Sequence, residues 1–401
     1  MTDDRDPIYL DHNATTPLHP QVLEAMLPYL QQHFGNPSSS HPLGRRAHAA
    51  VERAREQVAA LLGSEPDEIF FTSGGTEANN LAIRGALAAA GGRRGVVTSA
   101  VEHPATARPC DLLEERGCAV TRLPVEASGQ LPPAAAGPAL RDDTALVTVM
   151  LAQNETGTLL PVAALAKLAH QRGALMHTDA AQAVGKIPTR VDELEVDLLS
   201  VAGHKLYAPK GVGALYVRRG TPLRPLLLGA GHERGLRPGT ENVAAIVGLG
   251  QACALAQRDL EAEAARQRAL RDALWAALSA GVAGLRLNGH PEQRLPNTLN
   301  VSFPGVRGSA LLEAAPGIAA STGSACHAGG ETPSPVLIAM GLDAATALGA
   351  VRLSLGRSTT DAQVAAAAQA LVRGYRLQAA AGDGLGPTCC SSARVRGSAP
   401  G

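Results

Sequence analysis

The 401-residue sequence predicts an α/β protein: a large domain built on a mainly parallel sheet, followed by a smaller C-terminal α+β domain. Two observations carry this expectation. Between about residues 69 and 201, short apolar runs alternate with stretches of helical spacing. After about residue 258 that alternation stops, and a long charge-rich helical stretch leads into further strand and helix pieces.

Residues 1–15 read as an extended arm with Ile8-Tyr9-Leu10 as its one apolar stretch. Val22, Leu23, Met26, Leu27 and Leu30 have the spacing of one helix, and Ala47, Val51, Ala54, Val58 and Leu61 that of a second. Expected strands are 69–72, 96–99, 119–123, 146–151, 174–177 and 196–201. Helices fall between them. The stretch 161–172, for example, has proline in its first turn and Gly173 after its last. The predicted division is 15–258 for the large domain, with 1–14 and 259–378 for the small one. From Ala379 the composition turns to Ala, Gly, Pro and Ser, so 379–401 is expected to be a disordered tail.

Composition narrows the function classes. Apolar residues make up 45% and charged residues 18%, the balance of a soluble globular protein, and the net charge of +0 argues against nucleic acid or an anionic membrane as partner. No apolar stretch reaches the roughly 20 residues that span a bilayer. The N-terminus lacks a secretory apolar core, so a cytoplasmic location is expected. The six cysteines (Cys110, Cys118, Cys253, Cys326, Cys389 and Cys390) show no framework spacing and read as reduced thiols. His41, His48, His170, His177 and His232 lack ligand spacing with Cys or Asp, so no metal site is expected.

Several motifs sit just past expected strand ends, where open α/β sheets gather their ligands. Lys205 ends Ser200-Val201-Ala202-Gly203-His204-Lys205, and Asp179 and Gln182 come after an earlier strand. A strand-end lysine with a carboxylate three residues from an amide points to a Schiff-base site for pyridoxal phosphate. The amine would hold the aldehyde, the carboxylate would face the pyridine nitrogen, and the amide would bond the ring hydroxyl. Taken alone, Asp179 is better read as an ordinary helix cap. Thr72-Ser73-Gly74-Gly75-Thr76-Glu77 opens a helix, where free N–H groups suit a phosphate; an ordinary cap after a glycine turn is the plainer account.

His103, in Glu102-His103-Pro104, could stack on a cofactor ring and shuttle protons, or be a simple loop residue. Asn154 could bond the ring hydroxyl or a substrate carboxylate, or only shape a turn. Cys326 lies on the small-residue loop 321–330, whose neighbours offer little packing, and reads as a mobile nucleophile. Arg352 interrupts an apolar run, so it needs a partner: a substrate carboxylate or an internal acid.

Together these residues resemble the cysteine desulfurases of the NifS/IscS type and their relative selenocysteine lyase, within the fold-type I pyridoxal phosphate enzymes. The resemblance runs from about Ile8 to about Leu371. It rests on 10–17 (Leu-Asp-His-Asn-Ala-Thr-Thr-Pro), Ser73-Gly74-Gly75-Thr76-Glu77, Asn154-Glu155-Thr156-Gly157, 177–182 (His-Thr-Asp-Ala-Ala-Gln), Gly203-His204-Lys205, Arg237-Pro238-Gly239-Thr240 and 352–357. It implies that Lys205 carries the cofactor, His103 stacks on its ring, and Gly75, Thr76 and His204 hold its phosphate. It also implies that Thr240 reaches across from a second subunit of a homodimer. Asn154 and Arg352, with Asn13 beside them, would hold the substrate carboxylate, and Cys326 would carry a persulfide.

Ala202 departs from the hydroxyl residue common in desulfurases, and Ser324-Ala325-Cys326-His327 looks more like selenocysteine lyase. The implied activity is conversion of L-cysteine to L-alanine, with sulfur passed through Cys326 to an acceptor or iron–sulfur scaffold protein. Selenide release from L-selenocysteine and a non-catalytic sulfur-carrier paralogue are the alternatives. An aminotransferase would have no use for the thiol loop.

Overall fold

The computed structural model describes residues 6–323, 325–327 and 330–382, with the backbone alone for 325–327 and 330. Seven strands form the central sheet, in the spatial order Ile69–Thr72, Gly213–Val217, Leu198–Ala202, Leu175–Asp179, Thr144–Thr148, Gly95–Ser99 and Ala119–Leu123. Gly213–Val217 runs antiparallel to both of its neighbours, and the remaining pairings are parallel. Successive residues of Leu198–Ala202 face opposite ways. Leu198 packs with Phe70, Leu81 and Leu215 under the helix Gly75–Ala89. Leu199 and Val201 join the larger core on the other face, with Val51, Val58 and Leu249. Strands buried on both faces read as continuous apolar runs, which is why they are visible in the sequence.

Two expected boundaries fall inside helices. A single 39-residue helix, Val243–Gly281, passes straight through residue 258. Its first half, with Ile246 and Leu249, belongs to the large core, and its second half, with Leu270 and Leu274, belongs to a separate one. The composition shift therefore marks a change of packing partner along one helix, not a break in the chain. At the other end, the last helix, Asp361–Ala381, takes in residues 379–381, which composition assigned to a tail. Alanine is the strongest helix former, and Thr360 and Gln363 close a capping box at the start. The left-handed Gly382 ends it. Residues 383–401, including Cys389 and Cys390, lie outside the described residues.

The second core gathers Leu10 from the arm with residues between 270 and 371. It covers the antiparallel strands Arg286–Asn288, Thr298–Ser302 and Ala350–Ser354. The arm strand Ile8–Tyr9 pairs in parallel with Ile318–Ala319, so residues 11–16 beyond it are led over the ends of the large sheet.

Candidate active site

All the parallel strands end on the same edge of the sheet, and the turns beyond those ends converge on one cavity of about 420 Å³. Asn13, Gly75, Thr76, His103, Asn154, Asp179, Gln182, His204, Lys205 and Arg352 line it. Residues far apart in the sequence thus meet because their strands are neighbours.

Lys205 closes the short turn Gly203–Lys205 after the strand Leu198–Ala202. Its Nζ donates to the carbonyl of Asn13, and to that of Ala14 at 2.8 Å. Burial pushes its pKa down to about 8, with Arg352 adding to the effect and Asp11 and Asp179 opposing it. Attack on an aldehyde requires the neutral amine, which the lowered pKa makes more available.

Asp179, the last residue of Leu175–Asp179, has both oxygens engaged. Oδ1 accepts from the N–H of Ala181 at 2.9 Å, and Oδ2 accepts from Asn79 Nδ2 at 2.7 Å. These donors fix the carboxylate's direction at the cavity wall. Gly74 caps the helix Gly75–Ala89 at φ 149°, a conformation that favours glycine, and leaves the first-turn N–H groups facing the cavity. A Cβ on Gly75 would lie 3.1 Å from that of Ala202, so helix start and lysine strand are in close approach there.

His103 caps the helix Pro104–Glu115, its Nδ1 accepting from Ala105 N–H at 3.1 Å, so in the neutral ring Nε2 carries the proton. Desolvation lowers its pKa, Asp179 raises it and Lys205 lowers it, with the net direction downward. Burial beside Lys205 likewise holds His204 down, to about 4.

Some expected residues are placed differently. Arg352 pairs with Asp11 at 2.8 Å and donates to the Asn154 carbonyl at 3.2 Å, so the internal-acid alternative is realised. It nevertheless lines the cavity, and only part of its five-donor fork is used. The Asn13 amide is committed to Thr298, Asn154 and Asn297, so its side chain braces the wall. Thr240 is exposed and lies apart from the cavity within one chain. Cys326 lies in the strand Ala325–His327, paired antiparallel with Gly330–Thr332, and its side chain is outside the described residues.

Sequence reasoning passed over Asn79, although its place four residues after Gly75 puts it one helical turn from the helix start expected to bind phosphate. It also gave no role to Glu102. This carboxyl is buried and pushed up to about 8 while accepting from Ser99 Oγ at 2.5 Å and Met150 N–H at 3.0 Å. Among the described residues, no helix is long and apolar enough to cross a membrane, and no His, Cys, Asp and Glu cluster could hold a metal ion.

An amine-poised lysine, a doubly held carboxylate and an open helix start fit the aldehyde, ring nitrogen and phosphate of pyridoxal phosphate, and the buried Asn79 Oδ1 and Arg352 Nε remain without partners among the described residues. Fold and site together define a pyridoxal-phosphate enzyme of the α/β class. The chain belongs to the class-V aminotransferase family, whose pattern matches residues 8–366. A cysteine desulfurase of Trichormus azollae is 50% identical over 359 residues, spanning 89% of this chain and 90% of its own. The cysteine desulfurase NifS of Azotobacter vinelandii is 48% identical over 360 residues, with shares of 89% and 90%. A solved NifS-like protein superposes with a TM-score of 0.86 at 38% identity, over 92% of this chain and 98% of its own.

Proposed function

We propose that this enzyme is a cysteine desulfurase that takes sulfur from L-cysteine and leaves L-alanine. The observation that carries the reading is the gathering of Lys205, Asp179, Asn154 and Arg352 around one cavity, in a chain half identical to cysteine desulfurases over most of its length. When bound, pyridoxal phosphate supplies an electron-withdrawing ring that makes the amino acid's α-proton acidic. The chain's own residues supply the rest. The first-turn N–H groups at Gly75 and Thr76, with His204, hold the phosphate, and Asp179 holds the ring nitrogen. The unused N–H groups of Arg352, with Asn154, orient the substrate carboxylate. Lys205 Nζ, its pKa lowered by burial, moves the α-proton. His103, as a neutral ring, exchanges a proton with the substrate.

The Cys326 thiolate attacks the substrate sulfur. An S–S bond forms, the C–S electron pair stays on carbon, and protonation of that carbon gives alanine. The persulfide on Cys326 then passes its outer sulfur to an acceptor, which we take to be a protein of iron–sulfur assembly in the cytoplasm.

A homodimer belongs to this proposal. Thr240 is turned outward, and the helix Pro20–Gln31 and the turn after it expose Leu23, Leu27, Leu30 and Phe34, the last at 81%. A second copy would cover such a surface. Incubation of the holoenzyme with L-cysteine should yield alanine and, with reductant, sulfide. Cys326→Ala should abolish sulfide release while leaving the cofactor absorbance intact, and undiminished release would overturn the role of the thiol. The same preparation given L-selenocysteine measures the chalcogen preference.

A further inference from the structure

Lys186 is a second lysine beside this cavity, buried at only 9% exposed, and the desulfurase reaction does not use it. Its Nζ makes two hydrogen bonds, both to Gln182: 3.0 Å to the backbone carbonyl and 3.0 Å to side-chain Oε1. Among the described residues no carboxylate pairs with it. A lysine ammonium is a donor only, so the group facing it must be the Gln182 oxygen. The Gln182 amide nitrogen is thereby turned the other way, where Nε2 donates to the Asn13 carbonyl at 3.0 Å. That carbonyl also accepts from Lys205 Nζ. Gln182 lines the cavity and Lys186 does not, so the lysine reaches the site only through the amide.

We propose that Lys186 is a positioning residue that locks the Gln182 amide with its nitrogen toward the cavity, so that Gln182 offers a donor, never an acceptor, to the cofactor's ring oxygen. The inference rests on the pyridoxal phosphate reading of the site. A buried amide with a free choice of orientation would present the wrong edge in part of the molecules, and a donor facing an anionic ring oxygen is worth more than a neutral pair. Burial, then Lys205 and Arg352, depress the Lys186 pKa to about 7. The ammonium, which has no acceptor, enforces the orientation outright, and the neutral amine still has two N–H groups for the same two bonds. The other titratable neighbours are His12, whose ring nitrogens have no partners among the described residues and which is held down near 4 by burial and by Lys186, and His204, held down near 4 by burial, by Lys205 and, less, by Lys210 and Lys186.

Two variants separate orientation from charge: Lys186→Met removes donor and charge, and Lys186→Gln keeps a donor without the charge. The measurement is the pH midpoint of the visible absorbance of each cofactor-loaded protein. Lys186→Met should raise the midpoint by about one pH unit, a tenfold change in proton affinity. Lys186→Gln should stay near the wild-type value. Equal shifts in both variants would assign the effect to charge alone and overturn the proposal, as would no shift in either. If Lys186→Met fails to fold, Lys186→Gln decides by itself, since a shift of a full unit there contradicts the lock. A wild-type protein with no visible band would instead remove the cofactor reading beneath it.

Discussion

Asn79 Nδ2 donates to Asp179 Oδ2 at 2.7 Å, joining the helix Gly75–Ala89 to the carboxylate at the end of a sheet strand. On the proposed reading of the site, the carboxylate is therefore aimed by the helix whose first turn would hold the cofactor's phosphate. A hydrogen bond to a charged group contributes about 1.5–3 kcal/mol. Asn79→Ala should lower turnover, cofactor affinity or both by about ten- to a hundredfold. Steady-state kinetics with cofactor titration checks this, and a variant within about twofold of wild type would show that Asp179 needs no such guide.

The capture of cofactor should depend on pH through Lys205. Its pKa is lowered from 10.5 to about 8, so the reactive neutral amine is scarce at pH 6 and predominant at pH 9. The rate at which apoprotein gains the visible band should rise by about tenfold per pH unit below 8 and level off above it. Arg352 contributes to the depression, so Arg352→Met should move that bend to higher pH. A flat profile from pH 6 to 9, measured by stopped-flow absorbance, would contradict the assignment.

Glu233 and Arg55 form a buried, two-pronged ion pair, with both bonds at 2.8 Å and the side chains 2% and 4% exposed. Glu233 also accepts from Phe71 N–H at 2.7 Å, and its own backbone sits at φ 46°, in the left-handed region. The pair holds the start of the segment that leads to Arg237 and Thr240, and Arg237 in turn pairs with Glu77 at 2.9 Å. Removing one partner leaves a buried charge. Glu233→Ala should cost about 3–5 kcal/mol in denaturant unfolding, and a double replacement by Met and Leu should cost less. A loss below about 1 kcal/mol would mean that water reaches the orphaned arginine.

Ser334 ties the far side of the Cys326 segment to the site. Its Oγ donates to half-buried Glu155 Oε2 at 2.6 Å and accepts from Leu337 N–H to cap the helix Pro335–Ala339. Burial raises the Glu155 pKa, while Ser334 and Arg352 oppose the rise. Ser334→Ala removes both bonds and should destabilise the protein by about 1–3 kcal/mol. Thermal unfolding reads this directly, and an unchanged Tm would show that the pocket relaxes around the loss.

Much of this site was legible in the sequence because most cavity residues lie just past a strand end, and strands buried on both faces announce themselves as apolar runs. Lys205, Asp179, His103 and the Gly75 turn could be placed that way. The strand Gly213–Val217 was not anticipated, since it returns directly after the lysine turn with no helix between and so breaks the alternation that identified the others. Asn79 and Lys186 were missed for a related reason. Each acts on a site residue by a bond across or along the chain, Asn79 to a residue 100 positions away, and a polar side chain in an apolar stretch does not disclose its partner. The Arg352–Asp11 pair shows the converse: sequence required a counter-charge but could not choose between an acid in the chain and one in the substrate.

The most direct measurement is borohydride reduction of the cofactor-loaded protein, followed by peptide mass spectrometry. The cofactor mass is predicted on Lys205 alone. An adduct on Lys186, or on no lysine at all, would contradict the account.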